Sequence, residues 1–286
     1  MSQPQPGPGE SVISLQNISR NFFTALQRQH DMLAFSIAGM HTADPKAYEH
    51  FSSLSRVMPV PQAHLPPAQM RAYARGLMLR TTVNDLLVLA AECMTQCHLL
   101  CLFIRERGKN QNGSPEIDRL IGEKQQAFAQ MNLQDKFQEL EEAFGIVCEL
   151  EDGVFSLAAA LRVLARGGLV TNDDIAPDGS LTLEFKAMKD FPAEADTPAP
   201  IDSAPPLDLP EGVSAHPFSA QEIVPSDKPK TVSKLTDTQR TFRPGEMLDL
   251  TDAELMGLNV TSAKFVDGLL RSVDFYGRNQ LGEQGK

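Results

Sequence analysis

The stretch from Leu86 to Ile104 reads LLVLAAECMTQCHLLCLFI, with Glu92 as its only formal charge. Helical pattern continues on both sides of it, nearly unbroken from Pro66 to Arg107. A helix that is apolar on almost every face must be enclosed by other helices or by lipid. Its 19 residues approach the ~20 that a bilayer span needs. Glu92, Gln96 and His98 sit near its middle, however, and a central acid costs about 2.5–3.5 kcal/mol on insertion scales. Arg71, Arg75 and Arg80 precede the run and Arg105, Arg107 and Lys109 follow it, so charge favours neither orientation. The expected architecture is therefore mainly α, a helical bundle around a central rod. A membrane-associated helical protein is the competing reading.

Other helices follow from the apolar spacing. Ile18, Phe22, Leu26, Leu33, Ile37 and Met40 mark one face of a first helix from about Ser11 to Met40. Residues 41–65 hold Pro45, Pro59 and Pro61 and read as a connector with a short helix around Tyr48–Val57. Pro66 and Pro67 suit the first turn of the rod. Ile117, Ile121, Phe128 and Met131 mark a third segment. Leu133, Phe137, Leu140, Phe144 and Val147 mark a fourth, with Asn132 as N-cap. The fifth runs from about Glu149 to Arg166, acidic at its start and basic at its end, and Gly167-Gly168 stops it.

The period then changes. Leu169–Ile175, the turn Ala176-Pro177-Asp178-Gly179 and Leu181–Phe185 predict a small β-hairpin. From Pro192 to Lys230, nine of 39 residues are proline, a composition expected to stay disordered. Near Thr241 order returns: Thr251 and Glu254 form a capping box, Leu250 can staple onto Leu255, and a helix runs to Gly277. The expected organisation is a disordered 1–10, a helical bundle with terminal hairpin over 11–191, an acidic Pro-rich linker over 192–240, a strand and helix packing back over 241–277, and a disordered tail over 278–286.

Bulk properties exclude little but set priorities. The chain has 286 residues, a net charge of −11, 42% hydrophobic content and no Trp. Residues 1–110 carry 10 Lys+Arg against 7 Asp+Glu, whereas 111–192 carry 7 against 15 and 193–286 carry 9 against 15. That balance argues against general polyanion binding and leaves the first third for local RNA or DNA contact. MSQPQPGPGE lacks a basic region and apolar core, so it is not read as a secretory signal, and a cytoplasmic location with four reduced cysteines is expected.

Candidate sites compete with plainer explanations. Cys93, Cys97 and Cys101 are four apart beside His98, yet three thiolates on one straight helix are poorly placed for a tetrahedral metal. They continue an apolar stripe as small hydrophobes. In the acidic turn, setting Gly179 at the sixth position of a calcium loop leaves Ala176 and Phe185 at ligand positions, so an ordinary turn is the reading. His41, Asp44, Glu49 and His50 read as surface residues, and no Gly-rich phosphate loop or G-x-S-x-G elbow occurs. No catalytic residue, metal ligand or cofactor is assigned. Arg71 and Arg75, on one side of the rod, could touch phosphate.

The order of elements, the Arg166-Gly-Gly-Leu-Val170 exit, the hairpin and the helix introduced by Phe242-Arg-Pro-Gly-Glu-Met-Leu-Asp-Leu-Thr251 resemble the HEPN proteins of prokaryotes. The stand-alone forms near the RiboL-PSP and MAE groups are the most similar in layout. That resemblance implies a homodimer, and in active members a metal-independent endoribonuclease using an Arg and a His separated by four to six intervening residues. In SLAAALRVLAR, residues 156–166, Arg162 alone could stand for that Arg, and none of the 15 Arg has a His five to seven positions later. The general acid/base is missing. The resemblance then implies a non-catalytic interaction scaffold, in prokaryotic defence, toxin–antitoxin pairing or RNA-linked regulation, with Arg162 and Arg166 joining Arg71 and Arg75 as candidate RNA contacts. A protein partner is expected. An endoribonuclease with an altered site is the enzymatic alternative.

Overall fold

A computed structural model describes residues 13–44, 46, 47, 50, 66–109, 115–192 and 231–283. The architecture is mainly helical, with a two-stranded sheet and a C-terminal helix. Helices α1 (Leu15–Thr42), α2 (Pro67–Lys109), α3 (Pro115–Gln130), α4 (Leu133–Phe144) and α5 (Glu151–Ala165) come first. Strands β1 (Leu181–Pro192) and β2 (Thr231–Phe242) and helix α6 (Asp252–Glu283) complete the order. Residues 1–187 with 237–286 form one compact unit and residues 188–236 a second. The expected disorder of 1–10, the short connector helix around Tyr48–Val57 and the stretch 193–230 lie wholly or mostly outside the described residues.

The rod α2 is the axis of the first unit. Leu79, Val83, Leu86, Ala90, Met94, Cys97 and Leu102 are buried along it. Between Leu86 and Ile104 only Val88 and Glu92 are exposed. Of the described helices, α2 is long and apolar enough to cross a membrane, and its neighbours in the bundle bury 39% of its most apolar window. Helix α1 runs antiparallel to it, with Ile18 and Phe22 near Cys93 and Gln96, and Leu33 near Met78. Helix α6 runs parallel to it, because Asp252 pairs with Arg75 and Gly277 packs on Ile104.

Local chemistry sets the helix ends. The Ser14 hydroxyl caps α1 by accepting from the Asn17 amide at 3.2 Å. Asn132 caps α4 as expected, accepting from the Asp135 amide at 2.9 Å. Gly145, at φ +67, ends α4 early, so Val147 is not part of its face but an exposed loop residue. Gly167 and Gly168, at φ +100 and +86, close α5 as expected. The Thr251 and Glu254 capping box is formed at the start of α6. Gly277 does not end α6, which continues to Glu283 through residues expected to be a disordered tail. There the glycine lies against Ile104, whose Cδ1 would stand 3.4 Å from an added Cβ.

The strand pair is present, but its arms are not the two segments closest in sequence. Residues 169–175 are turns tied by one antiparallel bridge between Leu169 and Met247. Leu181–Phe185 instead begins β1, whose partner β2 takes residues 231–240 from the stretch expected to be linker. Cross-strand contacts pair Thr182 with Thr241, Glu184 with Gln239 and Lys186 with Asp237. The opposite edge of β1 meets helices: the Glu184 amide donates to Ser156 Oγ at 3.0 Å and the Lys186 amide to Thr261 Oγ1 at 2.8 Å. Gly153 and Gly257 let the strand lie this close. In the second unit, 188–192 and 231–236 continue the same strands.

Candidate functional site

The seam of α1 repeats at heptad spacing through Phe22, Leu26, Gln29, Leu33, Ser36 and Met40. Its first half is closed: Phe22 and Leu26 are buried. Along its second half the two walls separate, leaving a groove of 520 Å³ between α1 and the N-terminal part of α2. On the α2 wall, Ala74, Leu77, Thr81 and Asp85 line it. A second depression of 310 Å³ shares Ser36, Met40 and Ala74 with the first and extends it to Met70 and Pro67. Met32 and Leu77 line the opening and are exposed. Methionine is frequent here (Met32, Met40, Met70, Met78), which gives the walls an adaptable surface.

One end of the groove is fixed by charge. Arg75 donates to Asp249 at 2.9 Å, to Asp252 at 2.6 Å and to the Leu250 carbonyl, and His41 pairs with Asp252 at 2.6 Å. These bonds tie α1, α2 and the start of α6 together next to the opening. The His41 hydrogen bond and the Arg75 guanidinium hold the Asp252 carboxyl below its ordinary range. Arg75→Ala removes three bonds from a mostly buried guanidinium. The expected loss is about 2 kcal/mol, below the cost of breaking a fully buried pair because Asp249 is exposed. Urea denaturation measures it, and an unchanged midpoint would show that the tie is idle.

The four arginines suggested as RNA contacts are not equivalent. Arg75 is committed to its internal partners, and Arg166 pairs with Asp174. Arg71 lies exposed at the mouth of the groove, and Arg162 is exposed near the end of α5. Neither Arg71 nor Arg162 forms an ion pair among the described residues.

The cysteines of α2 are interior, joined there by Cys148. Burial pushes the Cys101 and Cys148 thiols up to about 12, and the Cys93 contact and burial raise Cys97 well above its usual value. These are unreactive core thiols. Among the described residues no group of three or more His, Cys, Asp or Glu is arranged to hold a metal ion. In the acidic turn, Asp174 accepts from the Thr171 amide and hydroxyl, while Asp178 accepts from Ser180, so both carboxylates serve the backbone.

The groove itself was not identified from the sequence. Its only signal is the α1 seam, where Gln29 and Ser36 interrupt otherwise apolar positions. Compared with known proteins, the chain matches no family model, no curated protein and no solved structure.

Proposed function

We propose that this chain is a cytosolic, non-catalytic helical scaffold of HEPN-like layout, whose α1–α2 groove receives an amphipathic helix from a protein partner. The observation that carries this reading is the groove. Both walls repeat at spacings of three and four residues, the interval at which side chains of a packed helix insert. Met32 and Leu77, both exposed, add apolar surface of the kind that marks interaction sites to its walls. Homodimerisation, which the HEPN resemblance implies, would then use another face. A role in prokaryotic defence, toxin–antitoxin pairing or RNA-linked regulation rests on the resemblance alone.

The reading is tested with a fluorescein-labelled 18-residue amphipathic helix carrying leucine at heptad positions. Saturable binding is expected, weakened at least tenfold by Leu77→Glu and unchanged by Val147→Glu, which lies outside the groove. Binding that ignores Leu77→Glu would remove the groove from the account. Separately, incubation with mixed RNA and EDTA should leave the RNA intact. Cleavage abolished by Arg162→Ala would replace the scaffold with the nuclease.

A further inference from the structure

Helix α1 is held unevenly along its length. Ile18, Phe22, Leu26 and Leu33 are buried, but from Ala34 to Thr42 only Ile37 and Met40 are even half-buried. The groove runs alongside that last stretch, and the polar bond that ties it to the bundle is the His41–Asp252 pair, whose imidazole is exposed. The seam beneath it is polar where an apolar side chain would close it. Asp252 bonds both Arg75 of α2 and His41 of α1, so its face of α6 looks into the junction of the three helices. Asn259, Val266 and Val273 return to that face at seven-residue intervals. The two valines are buried core residues. Asn259 is buried as well, yet neither atom of its amide has a partner among the described residues. Seven residues back from His41 along the antiparallel α1 is Ala34, next to Leu33. The unpaired amide therefore lies at the level where the burial of α1 stops. Among the described residues, the other buried side-chain atoms without a partner, Gln29 Oε1 and Ser262 Oγ, also belong to α1 and α6.

Sealed polar groups without partners raise the free energy of the closed bundle, and that penalty disappears once water reaches them. Apolar burial, which would oppose such an opening, is slight from Ala34 onward. We propose that residues 34–42 form a hinged flap that pivots at Leu33, breaks the His41–Asp252 bond, hydrates Asn259 and widens the groove against α2. Asn259 is the group that biases the flap toward opening, and His41 is its latch. The opening belongs to the free chain and stands apart from what docks in the groove.

Hydrogen exchange of the full chain, read by mass spectrometry on overlapping peptides, tests the flap. Amides over 36–42 are expected to exchange about a hundredfold faster than those over 22–30, which open only with the whole bundle. Low urea should speed the latter steeply and the former hardly at all, because a flap exposes little surface. Asn259→Leu is expected to slow exchange over 36–42 about tenfold, since leucine is covered in the closed form and wetted in the open one. His41→Ala should speed it about threefold by removing the latch. If 36–42 and 22–30 share one rate and one urea dependence, there is no separate flap. If Asn259→Leu leaves 36–42 unchanged, the end of α1 merely frays and the amide biases nothing. Should Asn259→Leu not fold, His41→Ala decides: an unchanged rate overturns the latch and the proposal with it.

Discussion

Gly257→Ala is expected to destabilise the protein by about 2–3 kcal/mol, although alanine is the better helix former. Gly257 lies inside α6 where β1 crosses it. An added Cβ would overlap the Lys186 carbonyl oxygen and stand 3.2 Å from Ala187 Cα. Both obstacles are backbone, and Lys186 is held by its amide bond to Thr261 Oγ1, so the strand cannot yield cheaply. Gly76 and Gly122 provide the control. Each is helical with nothing within 4 Å of the position a Cβ would take, and alanine there should stabilise by up to about 1 kcal/mol. Urea midpoints of the three variants give opposite signs if the strand rests on α6 as described. A neutral Gly257→Ala would mean that it does not.

Phe128→Ala should cost about 3–5 kcal/mol, because this ring is fully buried and two buried polar side chains depend on it. His98 of α2, 1% exposed, stacks on one ring with centroids 3.9 Å apart and an interplanar angle of 7°. The Lys136 ammonium of α4 lies 4.3 Å from the ring centroid and donates to the Phe128 carbonyl. Removing the ring strips both of their cover. The same cluster predicts a pH dependence. Burial, and beyond it Arg105, Lys136 and Lys124, depress the His98 pKa against the opposing hydrogen bond that its Nδ1 makes to Gln125 Oε1. The unfolded chain therefore takes up a proton near pH 6.5 that the folded chain refuses. This contribution is intact above that pH and declines as pH falls toward the folded value. Stability of the wild type measured between pH 7.5 and 5 should drop more steeply than that of His98→Phe. Parallel curves would show that the imidazole carries no such coupling.

Features that depend on a few adjacent residues were legible in the sequence. The Asn132 cap, the Thr251–Glu254 box and the Gly167-Gly168 stop each need only three or four residues, and each formed as written. The long helical rod was equally clear, since its pattern runs nearly unbroken over some forty residues. What escaped was non-local. Leu181–Phe185 shows alternation, but its partner begins at Thr231, and β2 commits only Thr238 and Phe242 to the buried side over its well-packed half. A strand so polar resembles the linker before it. The Arg75 tie spans 174 and 177 residues, beyond any local pattern. As for the groove, spacing reports which face of α1 is apolar and cannot report that α2 leaves half of that face uncovered.

Hydroxyls on the edge of β1 have a consequence for self-assembly. An exposed strand edge is an invitation to any extended peptide, and from there to fibrils. Here Ser156 and Thr261 already occupy the amides of Glu184 and Lys186, so recruitment on that flank would have to evict two helices first. Strand addition over Glu184–Lys186 is thereby blocked.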